Sequence, residues 1–328
     1  MANSFTNGYA TIFMKVLDEL MVQEAVTGWM EQNAGQVQYN GGKTVKVPKM
    51  SMSGLGNYSR STGYPAGSVS MEYETFVMTQ DRGRQLSVDA MDVNETNFIP
   101  NASKVASEFQ REHVVPEIDA YRISKLATLA VTADHSCEYS YTVAKATIFD
   151  KFMDLLGATK KAKFRNQPLV AFATTDVVTA LEKAAGDKIR AATFSQGGLN
   201  FSVPSINGCP IIEVDDDRMV SAITIKSDGW EKGSSAADIN FMIIPRKVPI
   251  AISKQNKGKF FTPEENQSAD AWIYDYRRYH DLWVMDNKVD GIAVNFKDSK
   301  PSGQSGQSGA SGASGASGAS GASGASGQ

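Results

Sequence analysis

Lys43-Thr-Val-Lys-Val-Pro-Lys-Met-Ser-Met52 alternates its side chains with period two, and Val69 to Leu86 is again rich in Val, Tyr, Phe and Thr. Both runs read as β-strands. Between them lies Gly54-Leu-Gly-Asn-Tyr-Ser-Arg-Ser-Thr-Gly-Tyr-Pro-Ala-Gly67, whose glycines and Pro65 forbid regular structure and suit a hairpin-like arm. The arm has no core of its own, and it presents Tyr58, Arg60, Tyr64 and Tyr73 as contact residues. An arm of this composition is expected to pack on another subunit rather than on its own body.

C-terminal to these runs the pattern changes to that of one long helix, starting at about Asn101. Val105 and Phe109 are four residues apart, as are Val114 and Ile118, whereas Lys104, Glu108, Arg111, Glu112, Arg122 and Lys125 are expected to be solvated or ion-paired. Pro116 lacks a backbone N–H inside this pattern and is expected to bend the helix. The expectation is a bent, largely polar strut that contributes little to a core.

The wording of residues 43–126, above all Gln80-Asp-Arg-Gly-Arg-Gln-Leu-Ser-Val-Asp-Ala-Met-Asp-Val-Asn-Glu-Thr-Asn-Phe98 running into the helix, closely resembles major capsid proteins of tailed bacteriophages. The resemblance spans roughly residues 1–296. It implies an α+β, HK97-like capsid fold with an N-arm bearing an amphipathic helix (1–42), an extended E-loop hairpin with adjoining P-domain strands (43–96) and a P-domain region with a long spine helix (97–143). An inserted A-domain (144–245), a return to P-domain strands (246–300) and a low-complexity tail (301–328) complete it. It also implies a non-enzymatic subunit that self-assembles into hexamers and pentamers of an icosahedral phage head. Such a head encloses double-stranded DNA without sequence-specific contact and is built in the host bacterial cytoplasm. Tyr58, Arg60, Tyr64, Glu72, Glu74, Arg82 and Arg84 are the inter-subunit contact candidates, with Arg82 and Arg84 expected to meet carboxylates such as Glu72, Glu74 or Glu108 of a neighbour. No long scaffolding-type segment precedes the arm, so a separate scaffolding protein and a portal are the expected partners. An encapsulin-like cellular nanocompartment is the alternative within the same fold.

Composition sets the outer limits. With 328 residues, 41% hydrophobic and 21% charged, the chain can bury a sizeable core in one large or two smaller domains. Its net charge of -3 argues against a surface that condenses on nucleic acid by itself. Cys137 and Cys209 allow at most one disulfide and fit a reducing compartment. No apolar run of about 18 residues suggests a membrane span, and the N-terminus lacks the basic region of a secretory signal. Ile12, Val16 and Leu20, beside Phe13, Leu17 and Met21, read as an amphipathic helix. Either a core helix or an arm packed on a neighbour fits that pattern.

Residues 144–240 read as an α/β or α+β unit. Helices are expected from Ala144 to Lys161 and, capped by Thr174 or Thr175, through Leu181; strands are expected at Pro168–Ala173, Cys209–Val214, Ala222–Ile225 and Ile239–Ile244. Val248–Ile252 leads out of the unit, and Trp272 to Val294 is expected as paired strands with Asp290-Gly291 as the turn. Beyond Pro301, glycine recurs at every third position without charge or further proline. That composition favours a disordered tail over a collagen-like bundle, and a linker is the third reading.

Chemistry-bearing motifs are sparse. His113, His135 and His280 belong to no metal-ligand spacing, and no P-loop, G-x-S-x-G or dinucleotide fingerprint occurs. Asp215-Asp-Asp217 admits a cation site, but adjacent strand residues point to opposite faces, which favours a solvated turn. An enzyme built on Asp215–Asp217 or Cys209 would need a deep polar pocket. No cofactor and no metal is expected.

Overall fold

The alternating residues pair as their pattern requires. In the computed structural model, which describes residues 25–37, 42–89, 91, 102–196 and 199–301, β1 (Thr44–Met52) and β2 (Val69–Val77) form an antiparallel two-stranded ribbon. The run from Val69 to Leu86 is not one strand. It breaks at Met78 and Thr79, and β3 (Gln80–Asp89) leaves the ribbon to join a different sheet. The break has a local cause. Met78 is buried beside Val45, Val47, Ile250, Ile252 and Trp283, which pins the ribbon's root while the chain turns away.

The three-stranded sheet has the order β12 (Ile250–Phe261), β13 (Ala271–Trp283), β3, all antiparallel. Glycine is needed at position 83 in β3, where a Cβ would lie 2.9 Å from the Tyr276 carbonyl oxygen across the strand pair. Residues 272–294, expected as mutually paired strands, divide instead: β13 pairs with β12 and β3, and β14 (Ala293–Phe296) enters the large sheet. Asp290-Gly291 lies in a 3-10 segment, Asp286–Gly291, and makes no hairpin. Gly291 answers to packing, since a Cβ there would meet the Phe164 ring at 2.5 Å.

The large sheet has seven strands in the order β4 (Cys137–Glu138), β14, β11 (Ile239–Pro245), β5 (Leu169–Ala173), β8 (Cys209–Glu213), β7 (Leu199–Ile206), β6 (Arg190–Gln196). β5 and β11 are buried along their whole length, as apolar runs demand in strands covered on both faces, and Asn240, the polar residue in β11, donates to the Tyr141 carbonyl and the Asn295 side chain. The β6–β7 pair went unread in the sequence, because Arg190–Gln196 has only short polar and alanine side chains around Phe194. Boundaries at 144 and 245 cut across this sheet, which takes β4 and β14 from outside them. A small hairpin, β9 (Ile223–Lys226) with β10 (Gly229–Lys232), projects separately.

The long helix runs as α1 (Ala102–Phe109), a π-helical turn (Gln110–Val114) and α2 (Val115–Ala133). Pro116 is the second residue of α2. A wider i→i+5 turn just before a proline accommodates the missing N–H and the ring's clash with the preceding turn, so the disturbance expected at Pro116 appears as a π-bulge on its N-terminal side. The helix is a core element rather than a polar strut. Ile123, Leu126, Ala127, Ala130 and Val131 join the main core with Trp29, Met30, Phe172, Phe241 and Phe296. Arg122, expected to be solvated or ion-paired, is fully buried and paired with Glu31.

On the opposite flank α3 (Ile148–Thr159) and α4 (Thr175–Ala185) present Phe152, Leu155, Leu156, Val177 and Leu181 to the same core. Thr174 precedes α4, but its hydroxyl donates to the Asn240 carbonyl at 3.3 Å and does not cap the helix. The amphipathic helix over residues 12–21 and the tail beyond residue 301 lie outside the described residues.

Candidate assembly surfaces

Cross-strand register sorts the ribbon's side chains onto two faces. Pro48 opposes Tyr73, Met50 opposes Met71 and Met52 opposes Val69, so these six share one face. The other face carries Lys49 opposite Glu72 and Ser51 opposite Ser70, with serine hydroxyl pairs at 2.6 Å (Ser51–Ser70) and 2.9 Å (Ser53–Ser68). At the tip, Ser59 and Gly63 exchange backbone hydrogen bonds of 3.2 and 2.8 Å, and Tyr58 meets Tyr64 edge-on at 5.0 Å. Gly63 has φ 79°, the left-handed conformation that suits glycine.

No described residue covers this apolar face. Among the described residues, all the exposed large hydrophobic side chains except Met91 and Phe201 lie between Met50 and Tyr73. Fully burying one such side chain is worth roughly 1.5–3 kcal/mol, so the five on this face, Met50, Met52, Val69, Met71 and Tyr73, offer a gross gain comparable with the roughly 4–15 kcal/mol lost in association. Arg60 and Glu72 are also exposed on the arm, whereas Glu74 is half-buried and pairs with Lys49 at 3.1 Å.

The two arginines of β3 make ion pairs within their own chain. Arg82 makes a bidentate pair with Glu117 of α2 at 2.7 and 3.1 Å and donates to the carbonyls of Lys226 and Gly229 at 2.9 and 3.1 Å. Arg84 pairs with Asp228 at 2.7 Å. Arg82 therefore ties the β9–β10 turn and β3 to the helix, and Arg84 ties the same turn to β3. The carboxylates expected as their partners are engaged elsewhere: Glu74 with Lys49 and Glu108 with Arg111 at 2.7 Å, while Glu72 stands on the arm.

A buried charge network at the base of the arm escaped sequence reasoning. Asp119 accepts hydrogen bonds from the backbone N–H groups of Val26 and Thr27 at 3.1 and 3.0 Å and from the Thr27 hydroxyl at 2.5 Å. Arg122 and Arg278 both reach Glu31, at 2.5 and 2.7 Å. Burial opposes the Glu31 charge, but the two guanidinium groups outweigh it and hold its carboxyl below the usual range. Asp281 receives the Tyr121 hydroxyl at 2.7 Å and the Lys125 ammonium. Positions 119, 122 and 125 recur at three-residue steps, so one stripe of α2 faces inward with its charges. The one available signal was this spacing of charged residues within an otherwise apolar helix face.

Beside this network His280 is buried, and burial, followed by nearby Arg278, Arg122, Lys125 and Arg82, lowers its pKa well below the ordinary histidine value. Asp215 pairs with Arg218 at 2.6 Å at the start of an exposed 3-10 turn. Cys209 is a buried free thiol pushed up to about 12 by desolvation, and Cys137 is also free. No described helix is long and apolar enough to cross a membrane.

No protein-family model matches the sequence, and no curated protein matches it. Solved structures do match in shape. The capsid structure of Cyanophage P-SCSP1u superposes with a TM-score of 0.54 at 9% identity, covering 78% of this chain and 83% of that one. The mature capsid of bacteriophage PhiM1 gives 0.53 at 10% identity over 78% and 82%. The fold is that of phage capsid proteins. A chain from Mycobacterium phage Ogopogo shares this capsid fold as well, with a TM-score of 0.53 at 7% identity over 81% and 91%. At these identities the likeness lies in backbone architecture rather than in residues, so the surfaces of the capsid fold described above are this chain's own.

Proposed function

We propose that this protein is a structural subunit of a phage head, non-enzymatic, which associates with copies of itself into hexamers and pentamers of a closed icosahedral shell around double-stranded DNA. The observation that carries the proposal is the arm: a ribbon with one bare apolar face and a tyrosine-paired tip, extending from a body of phage-capsid fold. A lone two-stranded ribbon is marginal in water, and a neighbouring copy supplies the cover that the described residues of its own chain do not. Tyr58, Arg60, Tyr64 and Glu72 are the contact residues of that overlap. In this reading the ribbon is the E-loop, the long helix is the spine of the P-domain, and most of the large sheet with α3 and α4 is the A-domain.

The net charge of -3 suits a wall that encloses nucleic acid without reading its sequence. A separate scaffolding protein and a portal serve as assembly partners, the wall is locked non-covalently, and assembly takes place in the host bacterial cytoplasm. Expression of the full chain followed by negative-stain microscopy tests the proposal. Closed particles of uniform diameter are expected, alone or with a scaffolding protein from a neighbouring gene. Deletion of residues 55–66 is expected to leave a folded subunit that closes no shells, and normal particles from that deletion would refute the role given to the arm.

A further inference from the structure

Beside the π-bulge lies a half-open groove of about 250 Å³ that no described residue fills. Leu86, Phe109, Val114 and Tyr276 supply its apolar lining, and His113 and His280 complete it. Arg82 and Arg84 border it too, but Glu117 and Asp228 already neutralise them, so apolar fit decides what enters. One polar group there lacks a counterpart. His280 is 3% exposed, and its Nδ1 is buried with no hydrogen-bond partner among the described residues. Leaving such a nitrogen unmet costs free energy that a matching partner recovers. A phenol hydroxyl both donates and accepts, so it serves either tautomer of a neutral imidazole. A cavity of roughly 150 Å³ takes up benzene, and this groove is large enough for a phenol ring.

The chain displays such a ring at the far end of its arm. Tyr64 is 89% exposed at the ribbon's tip, where Tyr58 braces it edge-on. The nine residues of β1, all paired with β2, hold that tip about 30 Å from the root. The groove, in contrast, begins at Arg82, next to the root at Thr79. A hydrogen-bonded ribbon does not double back over that distance, so a chain's own tip stays clear of its own groove. A second copy's tip is under no such restraint. Charge points the same way. Arg60 is exposed at the tip and Glu112 is exposed beside His113 at the groove's rim, and neither makes an ion pair among the described residues.

We infer that Tyr64 of one copy's arm inserts into this groove on a second copy, its ring against Leu86, Phe109 and Tyr276 and its hydroxyl on the His280 imidazole, with Arg60 facing Glu112. Tip and groove are different surfaces of one chain, so the contact is head-to-tail, and contacts of that kind close rings when the rotation between copies permits. The inference rests on the shell reading above and adds the place where the arm's tip is received.

Cysteine pairing between full chains tests it. Mass-tagged Tyr64→Cys chains are mixed with Leu86→Cys chains, or with His113→Cys chains should Leu86→Cys misfold, and oxidised mildly at a concentration where the protein associates. Phe201→Cys, exposed on β7, replaces the groove position as a control, and each variant alone controls for the native Cys137 and Cys209. A disulfide-linked heterodimer is expected from Tyr64→Cys with a groove variant, at least about tenfold more abundant than with Phe201→Cys. Tyr64→Ala is expected to leave the melting temperature of the subunit unchanged and to weaken self-association, followed by sedimentation, by about tenfold or more, roughly 1.4 kcal/mol. Tyr64→Phe, which keeps the ring and loses the hydroxyl, is expected to weaken it less. Association without either groove link overturns the inference and leaves the shell reading standing. Failure of the unaltered chain to associate, alone or with its scaffolding protein, overturns both.

Discussion

The Asp281 carboxylate, buried on β13, accepts both the backbone N–H of Thr79 at 3.0 Å and its hydroxyl at 2.9 Å. Thr79 is where the arm's return strand gives way to β3. Asp281 also holds Tyr121 and Lys125 of α2, so one carboxylate joins the root of the arm to the long helix. The arm's direction is thereby fixed by the core.

Asp281→Ala removes the acceptor while leaving Lys125 partly buried without its partner, a change that typically costs about 3–5 kcal/mol. Urea unfolding of the unassembled subunit is expected to show a loss of that order. Asp281→Asn, which keeps one acceptor oxygen, is expected to lose less. A loss below about 1 kcal/mol for the alanine variant, within the range of ordinary surface changes, would show that the arm's root is held elsewhere.

Arg82 and Arg84 sit two residues apart and differ in burial, so they are expected to separate experimentally. Arg82→Ala strips a bidentate carboxylate pair and two carbonyl contacts, and about 1–3 kcal/mol of subunit stability is expected to go with it. Arg84→Glu breaks an exposed pair worth at most about 1 kcal/mol, so the melting temperature of the unassembled subunit stays nearly unchanged. Equal destabilisation by the two would contradict the burial difference.

Met50→Glu combined with Met71→Glu places two charges at directly opposed positions on the ribbon's bare face. Neither side chain touches the core, so circular dichroism and the melting temperature of the subunit are expected to stay as they are. Assembly, followed by light scattering, is expected to fail. Unimpaired shells would mean that this face meets solvent in the particle.

His280 gives a pH dependence with a definite sign. Its folded-state pKa is lowered well below 6.5 by burial and surrounding cations, so below about pH 6.5 the unfolded chain binds a proton that the folded chain refuses. Stability is therefore complete above that value and falls as pH drops, by about 1.4 kcal/mol per unit from this group. His280→Gln is expected to flatten the slope of urea stability between about pH 6.5 and 5, a window above most carboxylate titration. An unchanged slope would mean that His280 protonates freely in the folded protein.

Much of the fold was legible because local patterns coincided with their tertiary roles. The alternation in Thr44–Met52 and the glycine-broken stretch after it specify a ribbon and its tip whatever they pack against. Continuous apolar runs such as Leu169–Ala173 and Ile239–Pro245 announce strands buried on both faces. Pro116 signals a disturbance in the helix by its missing donor alone. By contrast, β6 and β7 carry little apolar contrast, and the switch of residues 272–296 between two sheets depends on non-adjacent strands, β3 for β13 and β11 with β4 for β14.

The candidate surface divides in the same way. That the arm is polar at its tip and tyrosine-bearing follows from residues 43–77 themselves, and period-two alternation puts Met50 with Met52 and Val69 with Met71, but it is the register of the folded ribbon that brings the two pairs onto one face. Which charges are free for a neighbour does not follow from sequence. The sequence offers Arg82, Arg84 and Arg122 alike as cations in need of a carboxylate, and only the folded chain brings Glu117, Asp228 and Glu31 to them across 35, 144 and 91 residues. A carboxylate's partner is set by where distant backbone comes to rest, and the Coulomb and desolvation terms that decide its worth exist only once that packing has formed.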